Sequence, residues 1–443
     1  MISPRRSRRV VTPPLRLGWL VGPSHPRSGQ ATGAQLLRIL EVASLLLLAY
    51  QLYTLAFRVL WPLWNNPHVL QTDFHYYYDA AVRFSQDRGR LYLATDDSIA
   101  GFAYPPLAIL PFVLLSHLPL GAALLCLTLA SYGALLAAVG LWCRYLREHG
   151  LPIDATTARA VAIISLALAP TYMNAIFGQV NAFVLLSCVA FLTLAAGRPL
   201  AAGVLLACGM WLKLYPIVLL AAGAWSRRKW RAIAFAGVAA VVLMLIALPI
   251  VPLPAHRTFL SDVLPARIDK TAIHVSNQSL VAFLERFQQP PSRYLQWSGE
   301  QAITVSRTIR IVNLVFSIGV LSYLWRRAEA GFRLSLVASD AVAMALLAMV
   351  APLGWGHTYM LALPLVIFCL ATIDRTDPLR AFVVFCCVAA MMVPAGRLLS
   401  FADHWPGWLQ NLLYSRYLLA TATLAILKIG AEGERHENER RVA

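Results

Sequence analysis

TDFHYYYDAAVRFSQDRGRLYLATDDSIAGFAYPP, residues 72–106, is the stretch from which the rest of the chain is read. It holds Asp73, Asp79, Asp87, Asp96 and Asp97 among a dense run of aromatic residues, and it ends in Tyr104-Pro105-Pro106. Strongly apolar sequence lies on both sides of it. A polar, aromatic loop between apolar spans belongs at a membrane–water boundary, and a carboxylate ringed by tyrosines there is a place for chemistry.

Outward from this loop the composition sets the class. Of 443 residues, 59% are hydrophobic and 13% charged, against about 25% charged in soluble domains. The expectation is an all-α polytopic membrane protein. The formal net charge is +17, but the basic residues gather at span ends: Arg5, Arg6, Arg8 and Arg9; Arg227, Arg228, Lys229 and Arg231; Arg326, Arg327 and Arg333; Arg375 and Arg380; Arg440 and Arg441. That is the positive-inside distribution, not the continuous basic surface a nucleic acid needs. The seven cysteines sit in or at the ends of apolar segments and show no metal-ligand spacing.

About 20 apolar residues cross a hydrocarbon core. Spans are therefore expected near 36–61, 103–118 (short), 120–143, 157–174, 178–196, 199–223, 229–253, 303–325, 333–351, 356–373, 379–395 and 409–428. Residues 1–35 read as a disordered basic cytoplasmic leader, 36–428 as the transmembrane domain and 429–443 as a charged cytoplasmic tail. With the N-terminus inside, alternation puts 64–102, 254–301 and the neighbourhood of Gly354–His357 outside. A re-entrant 103–118 would move the loop at Gly178 to the other face.

Several residues are candidates for chemistry. Asp73 is placed to act as a general base, or as a helix N-cap beside Thr72. Tyr104 before two prolines either shapes the site or anchors the interface. Gln179 and Asn181, in GQVN, suit sugar hydroxyls and equally suit helix–helix hydrogen bonds. Lys213, in GMWLKLYP, is a lone cation in an apolar stretch; such residues are functional by default, and a phosphate is its natural partner. Asn277 and Gln278 can orient a sugar. His357, closing GWGH, can meet a phosphate or acceptor, or rest at the interface beside Trp355. Asp96-Asp97 is the sole adjacent acidic pair, a weak metal site.

Taken in order, these motifs resemble glycosyltransferase family 87, the polyprenol-phosphate-mannose-dependent mannosyltransferases of the GT-C superfamily. The resemblance rests on Asp73-x-x-x-Tyr77-x-x-Ala80, Gly89-x-x-Tyr92, Phe102-x-Tyr104-Pro105-Pro106, GQVN at 178–181, Lys213-Leu214-Tyr215-Pro216, Asn277-Gln278-Ser279-Leu280 and APLGWGH at 351–357. It implies a GT-C type bundle of about 11–12 membrane helices with the catalytic Asp73 in the first external loop. It implies a hexose, mannose first, moved from a polyprenyl-phosphate donor to a lipid or glycan acceptor. That reaction would run at the outer face of the cytoplasmic membrane. Asp73 is then the base of an inverting displacement. Tyr77, Tyr104, Gln179, Asn181, Lys213, Asn277, Gln278 and His357 line the substrate, Lys213 and His357 meeting the donor phosphate and acceptor. No metal or cofactor is implied, since the leaving group is already activated. The competing classes are a flippase for lipid-linked sugars and a polysaccharide polymerase or ligase, the latter left open by Arg267 and His274.

Overall fold

The computed structural model describes residues 28–66, 72–92, 101–151, 153–223, 229–295, 302–329, 333–373, 377–394, 402 and 404–442. The leader before residue 28, Asp96-Asp97, Arg227-Arg228 and Arg375 lie outside them.

The protein is an all-α polytopic membrane protein. A chain in lipid must satisfy its backbone within each segment, which helices do. Among the described residues, four helices are long and apolar enough to cross alone: Thr32–Asn65, Leu120–Glu148, Trp230–Ala247 and Arg307–Ala328. Two bent pairs join them, Ala155–Ala167 with Ala169–Phe177 (49°) and Gly407–Tyr414 with Arg416–Ile429 (67°), as do six shorter apolar helices. Trp230–Ala247 and Arg307–Ala328 expose Val238, Leu245, Ile246, Leu314, Val315 and Ile318, the side chains that would meet acyl chains. Leu336–Val350 and Gly356–Leu370 are buried nearly all round and form the centre. A single short antiparallel pair, Lys270–Ala272 with Ala302–Thr304, stands among the described residues.

Of the two readings open at 103–118, a short span or a re-entrant segment, the structure favours the second. Residues 103–118 do not cross. Their apolar helix covers only Pro106–Leu115, about 15 Å at 1.5 Å per residue, half the hydrocarbon core. The next helix begins where the first one ends: a Cβ on Gly121 would lie 3.1 Å from the Trp64 backbone. The Tyr78 hydroxyl donates to Leu118 O at 2.8 Å, tying the turn to the loop helix Asp73–Gln86. The segment therefore dips in and returns. This brings the Gly178 loop to the same face as Asp73.

A second expectation is refined at 199–223. The helix Pro199–Leu212 stops at Lys213, whose backbone is extended, and resumes as a 3-10 turn Tyr215–Ile217 and the helix Val218–Gly223. Pro216 cannot donate to the preceding turn, so the helix breaks before it. Lys213 thus sits at a break, not mid-helix. Lys229, counted among the span-end cations, is buried and pairs with Asp340 at 2.7 Å, Tyr145 also donating to that carboxylate.

On the face of the bundle that carries the Asp73 helix, residues 253–295 fold around Arg286, which is fully buried. Its Nε donates to Asn411 Oδ1 (2.7 Å), Nη1 to Asn277 O (2.8 Å) and Nη2 to Ser415 Oγ (2.8 Å). No carboxylate pairs with it among the described residues. Arg286→Met removes the donor to Asn411 Oδ1, Asn277 O and Ser415 Oγ and is expected to cost about 1–3 kcal/mol, the penalty of leaving a buried acceptor unsatisfied. A thermal melt of the purified protein checks this, and an unchanged midpoint would contradict it.

Candidate active site

Asp73 opens the helix Asp73–Gln86 but does not cap it. Thr72 is the N-cap: its N–H donates to His75 Nδ1 (3.1 Å), closing a capping box. Asp73 is left free to turn inward, where its Oδ2 accepts from Gln179 Nε2 at 2.6 Å. Its other oxygen has no hydrogen-bond donor among the described residues.

Gln179 reaches that point because of Gly178. The helix Ala169–Phe177 ends on Gly178 in the left-handed region, φ 64°, which glycine adopts without strain. A Cβ there would also strike Phe74 Cβ at 2.6 Å. The loop thus presses against the Asp73 helix before the next helix starts at Asn181.

The hydrogen bonds around Gln179 have one consistent direction. Its Nε2 donates to Asp73 and to the Tyr77 hydroxyl (2.7 Å). Tyr77 and Tyr104 hydroxyls meet at 2.7 Å, and Tyr104 donates to Gln179 Oε1 at 2.7 Å. Lys213 Nζ donates to the same Oε1 at 3.0 Å. Gln179, Tyr77 and Tyr104 therefore close a ring, with one amide N–H left for Asp73 and one lone pair for Lys213. A carboxylate must accept and an ammonium must donate, so the amide can lie only one way round.

Lys213 is 8% exposed. Besides Gln179 it donates to Asn181 Oδ1 (2.9 Å), which also accepts from the Tyr215 hydroxyl (2.6 Å). Asn181 is braced in turn by Asn174 Oδ1. The ammonium lies 5.0 Å from the Tyr104 ring centroid and 5.8 Å from that of Tyr215, and cation–π attraction strengthens away from water. His357 is buried, edge-on to Phe177 and within electrostatic reach of Lys213. Its Nδ1 lacks a hydrogen-bond partner among the described residues.

Burial raises the Asp73 carboxyl above its ordinary value, opposed by the Gln179 amide and the Lys213 ammonium. A carboxylate so raised is a better proton acceptor near neutral pH.

Of the residues singled out from the sequence, Asp73, Tyr77, Tyr104, Gln179, Asn181 and Lys213 form one contiguous network, with His357 at its edge. Gln179 and Asn181 are buried, and their amides hold Asp73 and Lys213. Asn277 and Gln278 stand apart. The Asn277 amide donates to Ala272 O (2.9 Å), and the Gln278 amide donates to Val275 O (2.6 Å) and accepts from Tyr417 N (3.1 Å). Their backbone pins the His357 loop, through Gln278 N to Gly354 O and a bridge from Asn277 to Trp355. Asn174, Tyr215 and Arg286 were not singled out from the sequence. Tyr215 adjoins Lys213 in the KLYP motif, and Asn174 lies one helix turn before GQVN, signals that pointed to them.

The sequence pattern of glycosyltransferase family 87 matches residues 102–352. The chain belongs to glycosyltransferase family 87. No curated protein matches it. Membership makes the protein a membrane glycosyltransferase. The match takes in Tyr104, Gln179, Asn181, Lys213, Asn277 and Gln278 and stops short of His357; Asp73 and Tyr77 precede it and are joined to it by Gln179. In this family 87 protein, Gln179→Ala removes a hydrogen bond that favours the ionised carboxylate. The acid limb of kcat/KM is therefore expected to move to higher pH than in wild type, the opposite shift contradicting the assignment.

Proposed function

We propose that this glycosyltransferase moves a hexose, mannose first, from a polyprenyl-phosphate donor to a glycolipid or glycan acceptor at the outer face of the cytoplasmic membrane. The observation that carries the reading is a carboxylate and a buried ammonium held by the two ends of a single amide. One end takes a proton; the other meets a leaving phosphate.

In the proposed reaction Asp73 removes the proton of an acceptor hydroxyl, whose oxygen attacks the anomeric carbon opposite the phosphate. The new glycosidic bond forms as the carbon–oxygen bond to phosphate breaks, with inversion. Lys213 and His357 offset charge on the departing phosphate, an effect that is large in a site shielded from water. The reaction as drawn runs without a metal or cofactor.

The outward face is supported by charge. The helix Leu120–Glu148 begins beside Trp64 and carries Arg144 and Arg147 at its far end; Arg198 follows the helix that starts at Asn181; Arg326 and Arg327 end another. These five arginines end helices on the side away from Asp73, where the positive-inside rule expects the cations of short cytoplasmic loops. The Asp73 side carries arginines (Arg83, Arg88, Arg267, Arg286) in the two long polar segments.

The test is sugar transfer in isolated membranes from radiolabelled polyprenyl-phosphate-mannose, wild type against Asp73→Asn at matched expression. New labelled glycolipid or glycan from wild type alone supports the reading. Label crossing sealed vesicles with no new glycosidic bond would turn it toward transport.

A further inference from the structure

The helical run that follows Trp230–Ala247 consists of Leu253–Thr258, a π turn Phe259–Val263 and Leu264–Asp269. One side of it lies against the Asp73 helix. Val251 and Ala255 share a core with Tyr77 and Phe102. Phe259 is buried and stacks on Tyr92, centroids 6.2 Å apart, and Val263 is buried. Leu260 (63%) and Ile268 (53%) point the other way. Arg267 is four residues beyond Val263 and eight beyond Phe259, which puts it on the inward side. It is half-buried and within electrostatic reach of the Tyr77 and Tyr104 hydroxyls. Those two hydroxyls belong to the ring around Gln179, and Lys213 lies over the Tyr104 ring.

We infer that Arg267 is a second donor-binding cation, meeting the phosphate from one side of Tyr104 while Lys213 meets it from the other. The inference rests on the polyprenyl-phosphate reading above, whose sugar donor is a phosphodiester, and adds a residue to the site that binds it. The reason is charge balance. A sugar phosphodiester carries one negative charge; with ionised Asp73, Lys213 and Arg267 the site sums to zero. During transfer Asp73 gains the acceptor's proton and becomes neutral, and the departing phosphomonoester gains the second negative charge. The sum is zero again. With Lys213 alone, one uncompensated negative charge would stay in a poorly solvated site before and after the reaction, which is costly. A guanidinium also suits phosphate oxygens better than an ammonium, through two parallel hydrogen bonds.

The experiment uses the full-length protein in proteoliposomes with polyprenyl-phosphate-mannose as donor. Binding of the product, polyprenyl phosphate, is measured alongside, since product carries the greater charge. Arg267→Gln is expected to weaken product binding by about 10–100-fold, and to raise donor KM by less, as the product dianion depends more on the lost cation. Arg267→Lys should recover most of the product binding, which a merely structural role would not produce. Product binding and donor KM both unchanged in Arg267→Gln would overturn the assignment while leaving the transfer reaction standing. Wild-type protein that neither binds polyprenyl phosphate nor transfers sugar from this donor would overturn both. A melting midpoint within error of wild type shows that Arg267→Gln has folded; if it has not, Arg267→Lys alone decides, and donor KM and product binding that track each other equally would count against the inference.

Discussion

Asp73→Asn is expected to lower kcat by about 10²–10⁴-fold, the usual contribution of a general base, while the donor still binds. Asparagine keeps the size of the side chain, and its carbonyl oxygen still accepts from Gln179 Nε2, the bond made by Asp73 Oδ2. Thr72 caps the helix, so its start does not depend on residue 73. What disappears is the ability to take a proton. The pH profile carries an independent check. Burial raises the Asp73 carboxyl, so activity should climb with pH through a value above the ordinary carboxylate range, as the group ionises. In the asparagine variant that limb should vanish. Single-turnover transfer from labelled donor measures both effects, and an undiminished rate would remove Asp73 from the role of base.

Lys213→Met is the second large effect, a loss of about 10²–10³-fold in kcat if the ammonium stabilises charge on the leaving phosphate. Methionine fills similar volume but removes the cation that opposes the burial of Asp73, so that carboxyl is raised further. Gln179 Oε1 keeps its bond from Tyr104 and Asn181 Oδ1 its bond from Tyr215, so the amides do not lose every partner. The melting midpoint should fall modestly at neutral pH and less at lower pH, since Asp73 can take up a proton instead of remaining charged without its cation. Lys213→Arg should not restore activity, because a planar guanidinium does not fit a pocket made for a compact ammonium. A methionine variant with near wild-type kcat would assign Lys213 to structure alone.

The membrane class and the run of spans were legible because hydrophobic length is nearly a direct reading of bilayer thickness. The residues of the site were legible one by one, as polar groups in apolar sequence. Their meeting was not: Gln179 lies 106 residues from Asp73 and 34 from Lys213, and no local pattern encodes such pairings. The ambiguity at 103–118, short span or re-entrant segment, has a simple origin. Leu107–Leu115 is as apolar as a span, and only contacts such as Gly121 against Trp64 reveal that it turns back. Asn277 and Gln278 show a different limit. An amide that holds backbone carbonyls looks, in sequence, the same as one that holds a sugar. Arg286 escaped notice because a single arginine in LVAFLERF has the look of a solvated helix face, whereas it is buried to 1%.

Arg286 leans on carbonyl, amide and hydroxyl oxygens, none of which titrates in ordinary buffers. Burial lowers its own guanidinium only to about 10. Beside it His274, whose Nδ1 accepts from Ser276 N, is held down to about 4 by burial and by the neighbouring cation. Well inside the interval from about 4 to about 10, then, Arg286 stays charged and His274 neutral. An acid titration of the enzyme inside that window takes no contribution from this pair, so a pH limb proposed for Asp73 is not confused with theirs, and the segment they hold should stay folded at mild acid.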